Sequence, residues 1–306
     1  MARIARRFDP DLVQGWLYHG NLGASLARAA LGRRVPLVWG IRQSLPTLQG
    51  ENVFARIGIA LNRMGSSRPD RVLFNSRTSL EQHRERGFSV RRAAYLPNGF
   101  DIDGFVPDAE ARARRRAEWN IAEGSVAFGL FARFHPVKDH AGFLQAARRV
   151  HDARPGTCFV LAGTGIDAEN SVLARAIAEA GLQGQVRLLG ERRDIADLLP
   201  ALDGYVSSST REAFSNSIGE AMSCALPCVV TDVGDSRAVV ADTARVVPPG
   251  DPAAMADAMI ALVDLGAQGR AELGARARQR VVDEFGLDVV AGRYAALYRE
   301  LAAGKA

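Results

Sequence analysis

The sequence predicts an α/β protein of two doubly wound parallel-sheet domains, the first of them incomplete. Its 306 residues suit two domains. Short apolar runs alternate with longer amphipathic stretches along the whole chain, the pattern of parallel strands joined by helices. The charge also changes sign: residues 1–120 hold 20 Arg against 11 acidic residues, and residues 121–306 hold 19 basic against 23 acidic ones.

In the first half, strands are expected over 12–17, 35–41, 71–74 and 93–96. Helical spacing of Leu, Ala, Ile and Phe falls near 22–31, 52–64 and 77–87. Pro97-Asn98-Gly99-Phe100-Asp101 and Pro107 then break regular structure, and an Arg-rich helix is expected around 110–118. The second series of strands is 126–131, 158–162, 186–189, 204–206, 228–231 and 245–247. Its helices are 139–151, 169–180, 194–202, 216–225, 252–265 and 270–284. The expected domains are therefore 1–106 and 107–285, with a C-terminal helix over 286–306 packing back toward the first.

Composition excludes several classes. Hydrophobic residues make up 47% and charged residues 24%, which rules out wholesale disorder. No run of 18 apolar residues exists to span a bilayer. Cys158, Cys224 and Cys228 lack zinc-finger spacing and cannot build a disulfide framework, so buried thiols in a reducing cytoplasm are expected. The first ten residues are basic without an apolar stretch, and no secretory leader is expected.

In parallel sheets, ligands bind beyond the carboxyl ends of strands, so the loops after 131, 162 and 206 matter most. Of the 39 Lys and Arg residues only Lys138 and Lys305 are lysines, and Lys138 is the one in the interior of the chain. It follows Arg133 by five residues after a strand, and both cations suit phosphate oxygens. Gly163-Thr164-Gly165-Ile166-Asp167-Ala168, with Glu191 further on, resembles a dinucleotide fingerprint, although Asp167 and Glu169 would repel a pyrophosphate. The segment Ser207–Met222 places Glu212 on a loop and Glu220 about one helical turn in. Backbone N–H groups around Ser215–Ser217 lie between them as an anion site. Ser217-x-x-Glu220 also reads as a capping box, whereas a loop carboxylate such as Glu212 needs a stabilising partner.

Together these residues resemble the retaining family 4 glycosyltransferases of the GT-B fold. The likeness rests on Leu96-Pro97-Asn98-Gly99-Phe100-Asp101, on Arg133-x4-Lys138, and on Glu212-x7-Glu220 running into Ala221–Pro227. It continues through Thr231–Asp235 and Val247–Pro252. The chain departs from the family pattern at Ala213, where Gly is usual, and at Ala238, where Glu is common. The family's opening strands and acceptor-side glycine-rich loop have no counterpart.

The resemblance implies two facing Rossmann-like domains and transfer of a hexose from a UDP- or GDP-sugar to an acceptor hydroxyl, glycan or lipid-linked. Arg133 and Lys138 would neutralise the diphosphate and Glu220 would bind the ribose hydroxyls. Glu212 would contact the hexose, with Gly163, Phe214, Ser215 and Asn216 completing the donor site. His19 and Arg42 are the acceptor-side candidates. No metal, cofactor or nucleic-acid partner is expected, and no Asp-x-Asp pair lies near the cleft. The basic half, with Arg112, Arg114, Arg115 and Arg116, is expected to meet an anionic membrane at its cytoplasmic face. A non-catalytic remnant that binds nucleotide sugar and an NAD-dependent oxidoreductase stay as alternatives.

Overall fold

A computed structural model describes residues 2–45, 47 and 52–304; Lys305 lies outside them. In chain order the elements begin with α1 (Ala2–Phe8), β1 (Val13–Trp16), α2 (Leu17–Ala29), β2 (Leu37–Ile41) and α3 (Val53–Gly65). Next come β3 (Arg71–Phe74), α4 (Arg77–Glu85), β4 (Ala93–Tyr95), α5 (Ala109–Glu118), β5 (Val126–Phe131) and α6 (His140–Ala153). They continue with β6 (Thr157–Ala162), α7 (Ser171–Glu179), β7 (Val186–Leu188), α8 (Ile195–Leu198), β8 (Gly204–Ser207) and α9 (Asn216–Ser223). The last are β9 (Cys228–Thr231), α10 (Ser236–Val240), β10 (Ala244–Val247), α11 (Pro252–Asp264), α12 (Gly266–Phe285) and α13 (Leu287–Ala302). The chain forms two compact units, one running to Gly99 and resuming at Asp288, the other Phe100–Leu287. Residues 100–106, grouped with the first domain in the sequence reading, thus belong to the second unit.

The first unit has a parallel sheet of order β1-β2-β3-β4. Every step goes the same way, so right-handed crossovers put α2, α3 and α4 on one face. The alternation along β2 fits this. Leu37, Trp39 and Ile41 pack with Tyr18 of α2 and Ile59 of α3, while Val38 packs with Leu301 and Leu297 of α13 on the other face.

The second unit has a six-stranded parallel sheet of order β10-β9-β8-β5-β6-β7. Its central strands β5 and β6 are buried at every position, as two-sided coverage by helices requires. Helices α6, α7 and α11 cover one face and α9 and α12 the other. Strand order reverses between β5 and β8, which pair at Phe128 with Gly204 and Gly129 with Tyr205. At such a reversal the loops beyond the two strands diverge and leave a crevice. Phe100 seals this unit's own ends: its N–H donates to Phe285 O at 2.8 Å, its carbonyl accepts from Leu287 N at 2.8 Å, and its ring abuts Gly219 of α9.

Candidate functional site

Beyond β5 and β8 lies a cleft of about 240 Å³, lined by Arg133, Gly163, Thr164, Glu191, Arg192 and Glu220 among others. The β5 loop is stitched to the β6 loop, with Ala132 N donating to Ala162 O and Phe134 N to Thr164 O, both at 2.8 Å. Gly163 permits this approach. Its φ is +145°, and a Cβ there would sit 2.3 Å from the Ala132 carbonyl oxygen.

Lys138 ends a 3₁₀ turn, Pro136–Lys138, and Asp139 follows in the left-handed region at φ +48°. Asp139 recovers part of that strain by capping α6, accepting from Gly142 N at 3.0 Å. The Lys138 ammonium pairs with Oε1 of Glu212, which also accepts from Ser209 Oγ at 2.8 Å. Both partners are largely covered, with side-chain exposures of 22% and 15%. The β8 loop is bonded to the same turn: Ser208 Oγ donates to Lys138 O at 2.6 Å and Thr210 N to Val137 O at 2.8 Å. Glu212 thus has the stabilising partner its loop position demands, supplied across 74 residues of sequence.

Helix α9 starts at Asn216 with Ser215 as its N-cap residue, and no side chain caps it. Ser217 is therefore the second helical residue, and the capping-box reading of Glu220 fails. Ser217 Oγ instead lies 3.3 Å from Ser215 Oγ. Tyr205 donates to Phe131 O at 3.2 Å, and burial pushes its phenol well above the ordinary range. Glu220 faces the cleft, and burial pushes its carboxyl upward. Among the described residues it forms no ion pair. The uncapped start of α9 leaves amide N–H groups oriented as an anion site would need them.

The family model described as "Glycosyl transferases group 1" matches residues 125–264, and that described as "Glycosyltransferase Family 4" matches residues 1–103. The chain belongs to the family 4-type, GT-B glycosyltransferases. It is 33% identical to the putative glycosyltransferase EpsF of Bacillus subtilis over 142 residues, 46% of this chain and 36% of that protein. It is 28% identical over 151 residues to the UDP-Gal:alpha-D-GlcNAc-diphosphoundecaprenol alpha-1,3-galactosyltransferase of Escherichia coli, 49% of this chain and 39% of that one. The matches thus span less than two fifths of the length of these relatives. The crystal structure of Anabaena Alr3699/HepE with UDP and glucose superposes with a TM-score of 0.84 at 21% identity. That match covers 98% of this chain and 81% of the other.

Against this family's expectations, the structure brings Arg133, Gly163 and Glu220 together at the cleft and pairs Lys138 with Glu212. It removes the Phe214 side chain from the site. That ring is buried, stacked 6.0 Å from Phe100 and edge-on to Phe285, so only its backbone can serve a donor. In the first unit His19 is exposed on α2. Arg42 lies 4.8 Å over the Trp16 ring and donates to Asn98 Oδ1, which fixes its position.

The dinucleotide fingerprint does not hold in space. Eight residues separate β6 from α7, Asn170 already caps α7, and Asp167 spends its carboxylate on the turn at 3.1 Å from Glu169 N and Asn170 N. Moreover β6 is not a strand of the reversal, where such a turn belongs. The α5 arginines are paired within their own unit: Arg112 and Arg116 grip Asp203 at 2.6 and 2.9 Å, Arg115 reaches Asp194 at 2.8 Å, and Arg114 pairs with Asp197. All three cysteines are free and buried, and burial pushes the Cys224 and Cys228 thiols up to about 12. Sequence reasoning missed Ser209, Tyr205 and Arg192. Only Ser209 carried a local signal, its place three residues before Glu212.

Proposed function

We propose that this chain is a retaining hexosyltransferase, moving a hexose from a nucleoside diphosphate sugar to an acceptor hydroxyl in polysaccharide or glycolipid synthesis without a divalent metal. The observation that carries the reading is the Lys138–Glu212 pair, anchored by Ser209 on the loops beyond the β5/β8 reversal. The bound UDP and glucose of the Anabaena structure and the UDP-Gal donor named for the E. coli relative support the donor class.

Each step assigns a task to a residue. Glu220, desolvated and without a cation, gains most from hydroxyl donors, and a ribose diol supplies two. Arg133 on the cleft wall takes phosphate oxygens in a fork. Lys138 is a point charge on a flexible stem, able to follow the negative charge that grows on the diphosphate as the glycosidic bond breaks. Each such bond contributes about 1.5–3 kcal/mol. Glu212 orients a hexose hydroxyl so that the acceptor attacks from the face the nucleotide leaves, which retains the anomeric configuration. The positioned cations take the electrostatic role a metal ion fills in other transferases.

A turnover assay across UDP- and GDP-hexoses, with glycan and lipid-linked acceptors and a chelator present, tests the reading. Nucleotide release is expected to persist with chelator and to fall at least 100-fold in Glu212→Gln. Nucleoside diphosphate affinity should stay within threefold of wild type. Binding without turnover of any donor would favour the non-catalytic remnant instead.

A further inference from the structure

The turn after β9, Thr231–Asp235, backs the loop that carries Glu212. Strands β8 and β9 pair as far as Ser207 and Val230. One residue on, the Thr231 hydroxyl follows the departing β8 chain, donating to Ser209 O at 2.6 Å with Ser207 O at 3.2 Å as its second acceptor. Asp235 N donates to Ala213 O at 3.0 Å. Gly234 lies between them at φ +55°, where a Cβ would stand 2.6 Å from Glu212 O and 2.5 Å from Ala213 O. The Glu212 loop is therefore held at both ends from the β9 side, while Ser208 and Thr210 tie it to the Lys138 turn. Thr231 is fully buried and cannot meet a donor itself. What it sets is Ser209. The Ser209 hydroxyl and the Lys138 ammonium both bond Oε1 of Glu212, so the heading of Oε2 depends on where those two groups stand.

We propose that Thr231 is a positioning residue for Glu212, acting through Ser209. Its hydroxyl pins the Ser209 carbonyl, and the pinned backbone aims the Ser209 side chain at Oε1. Without that donor the carbonyl of buried Ser209 must find another partner, and the loop shifts to reach one. A misplacement of about 1 Å in a positioned reaction costs about a hundredfold. The proposal rests on the reading of Glu212 as the carboxylate that orients the hexose.

Thr231→Val removes the hydroxyl and keeps the branched shape, whereas Thr231→Ser keeps the hydroxyl. In the nucleotide-release assay Thr231→Val should lower kcat at least tenfold, with donor KM and nucleoside diphosphate affinity within threefold of wild type. Thr231→Ser should restore kcat. In a Ser209→Ala background Thr231→Val should cost nothing further, since the link is already cut. Thr243→Val deletes a like bond, to Val240 O at 2.6 Å, at a buried site outside the cleft, and should leave kcat unchanged. The pair itself is read by NMR of the full chain labelled at its lysine side chains, where Lys138 and Lys305 give the only signals. The Lys138 signal should move toward its Glu212→Gln position in Thr231→Val and stay at the wild-type position in Thr231→Ser. The proposal is overturned by a Thr231→Val chain with wild-type kcat or a wild-type Lys138 signal. It is equally overturned by a kcat loss that recurs in Thr243→Val or persists in the Ser209→Ala background. A wild type that turns over no donor defeats the reading of Glu212 instead, and the Lys138 signal alone then decides whether Thr231 sets the pair.

Discussion

Glu220 sits in the β5/β8 cleft with its carboxyl pushed upward by burial and with no ion pair among the described residues. Between the ordinary value of 4.5 and its raised one, the folded chain holds a proton the unfolded chain has lost. Its contribution to stability is therefore present in acid and is lost as pH rises through that window. Glu220→Gln does not titrate, so its melting temperature should match wild type near pH 4 and exceed it at pH 7, with nucleotide affinity reduced. Equal melting temperatures at both pH values would contradict the burial argument. Lys138 and Glu212 stood out because the sequence isolates each: one interior lysine after a strand, one loop carboxylate that needs a partner. The burial of the Phe214 ring was not legible, because its partners Phe100 and Phe285 come from distant segments and no local pattern encodes such contacts.

At the scale of elements, two buried histidines hold helices in place. His83 of α4 bonds Ser79 O through Nδ1 at 2.7 Å and the Tyr18 hydroxyl through Nε2 at 2.6 Å, and burial lowers it to about 4. His140 opens α6, packs 5.4 Å from the Phe134 ring, and is likewise lowered to about 4 by burial. A lowered histidine stabilises the fold fully above its ordinary 6.5, and that stability drains as pH falls toward 4. Each group is worth ~3 kcal/mol across that window. Acid denaturation should therefore begin below pH 6.5, and His83→Gln should flatten its share of the slope in a urea titration series.

The seat of α9 is equally specific, since a Cβ on Gly219 would fall 2.0 Å from the Phe100 ring. Gly219→Ala should cost about 1–3 kcal/mol. Phe100→Leu in the same chain should recover part of that, read as a coupling in a double-mutant cycle. Helix and strand positions were legible in most of these elements, because alternating apolar runs carry a period. The short α10 was missed, since five residues are too few to display one.

For the whole molecule, the sheet orders follow from alternation and handedness, and the β5/β8 reversal in turn places the cleft. The charge split was legible in sign but not in meaning. The α5 arginines read as surface, yet they are spent on Asp194, Asp197 and Asp203, acids some 80 residues away that approach only in the folded unit. Likewise, the apolar spacing of α3 identified a helix but could not say that its large side chains face outward. Calorimetric titration of UDP and GDP in the presence of chelator, on wild type, Lys138→Ala and Arg133→Ala, tests most directly that the cleft is a diphosphate site. The account predicts a saturable site for at least one nucleotide, weakened at least tenfold, about 1.4 kcal/mol, by each substitution. Isotherms unchanged in both variants would contradict it.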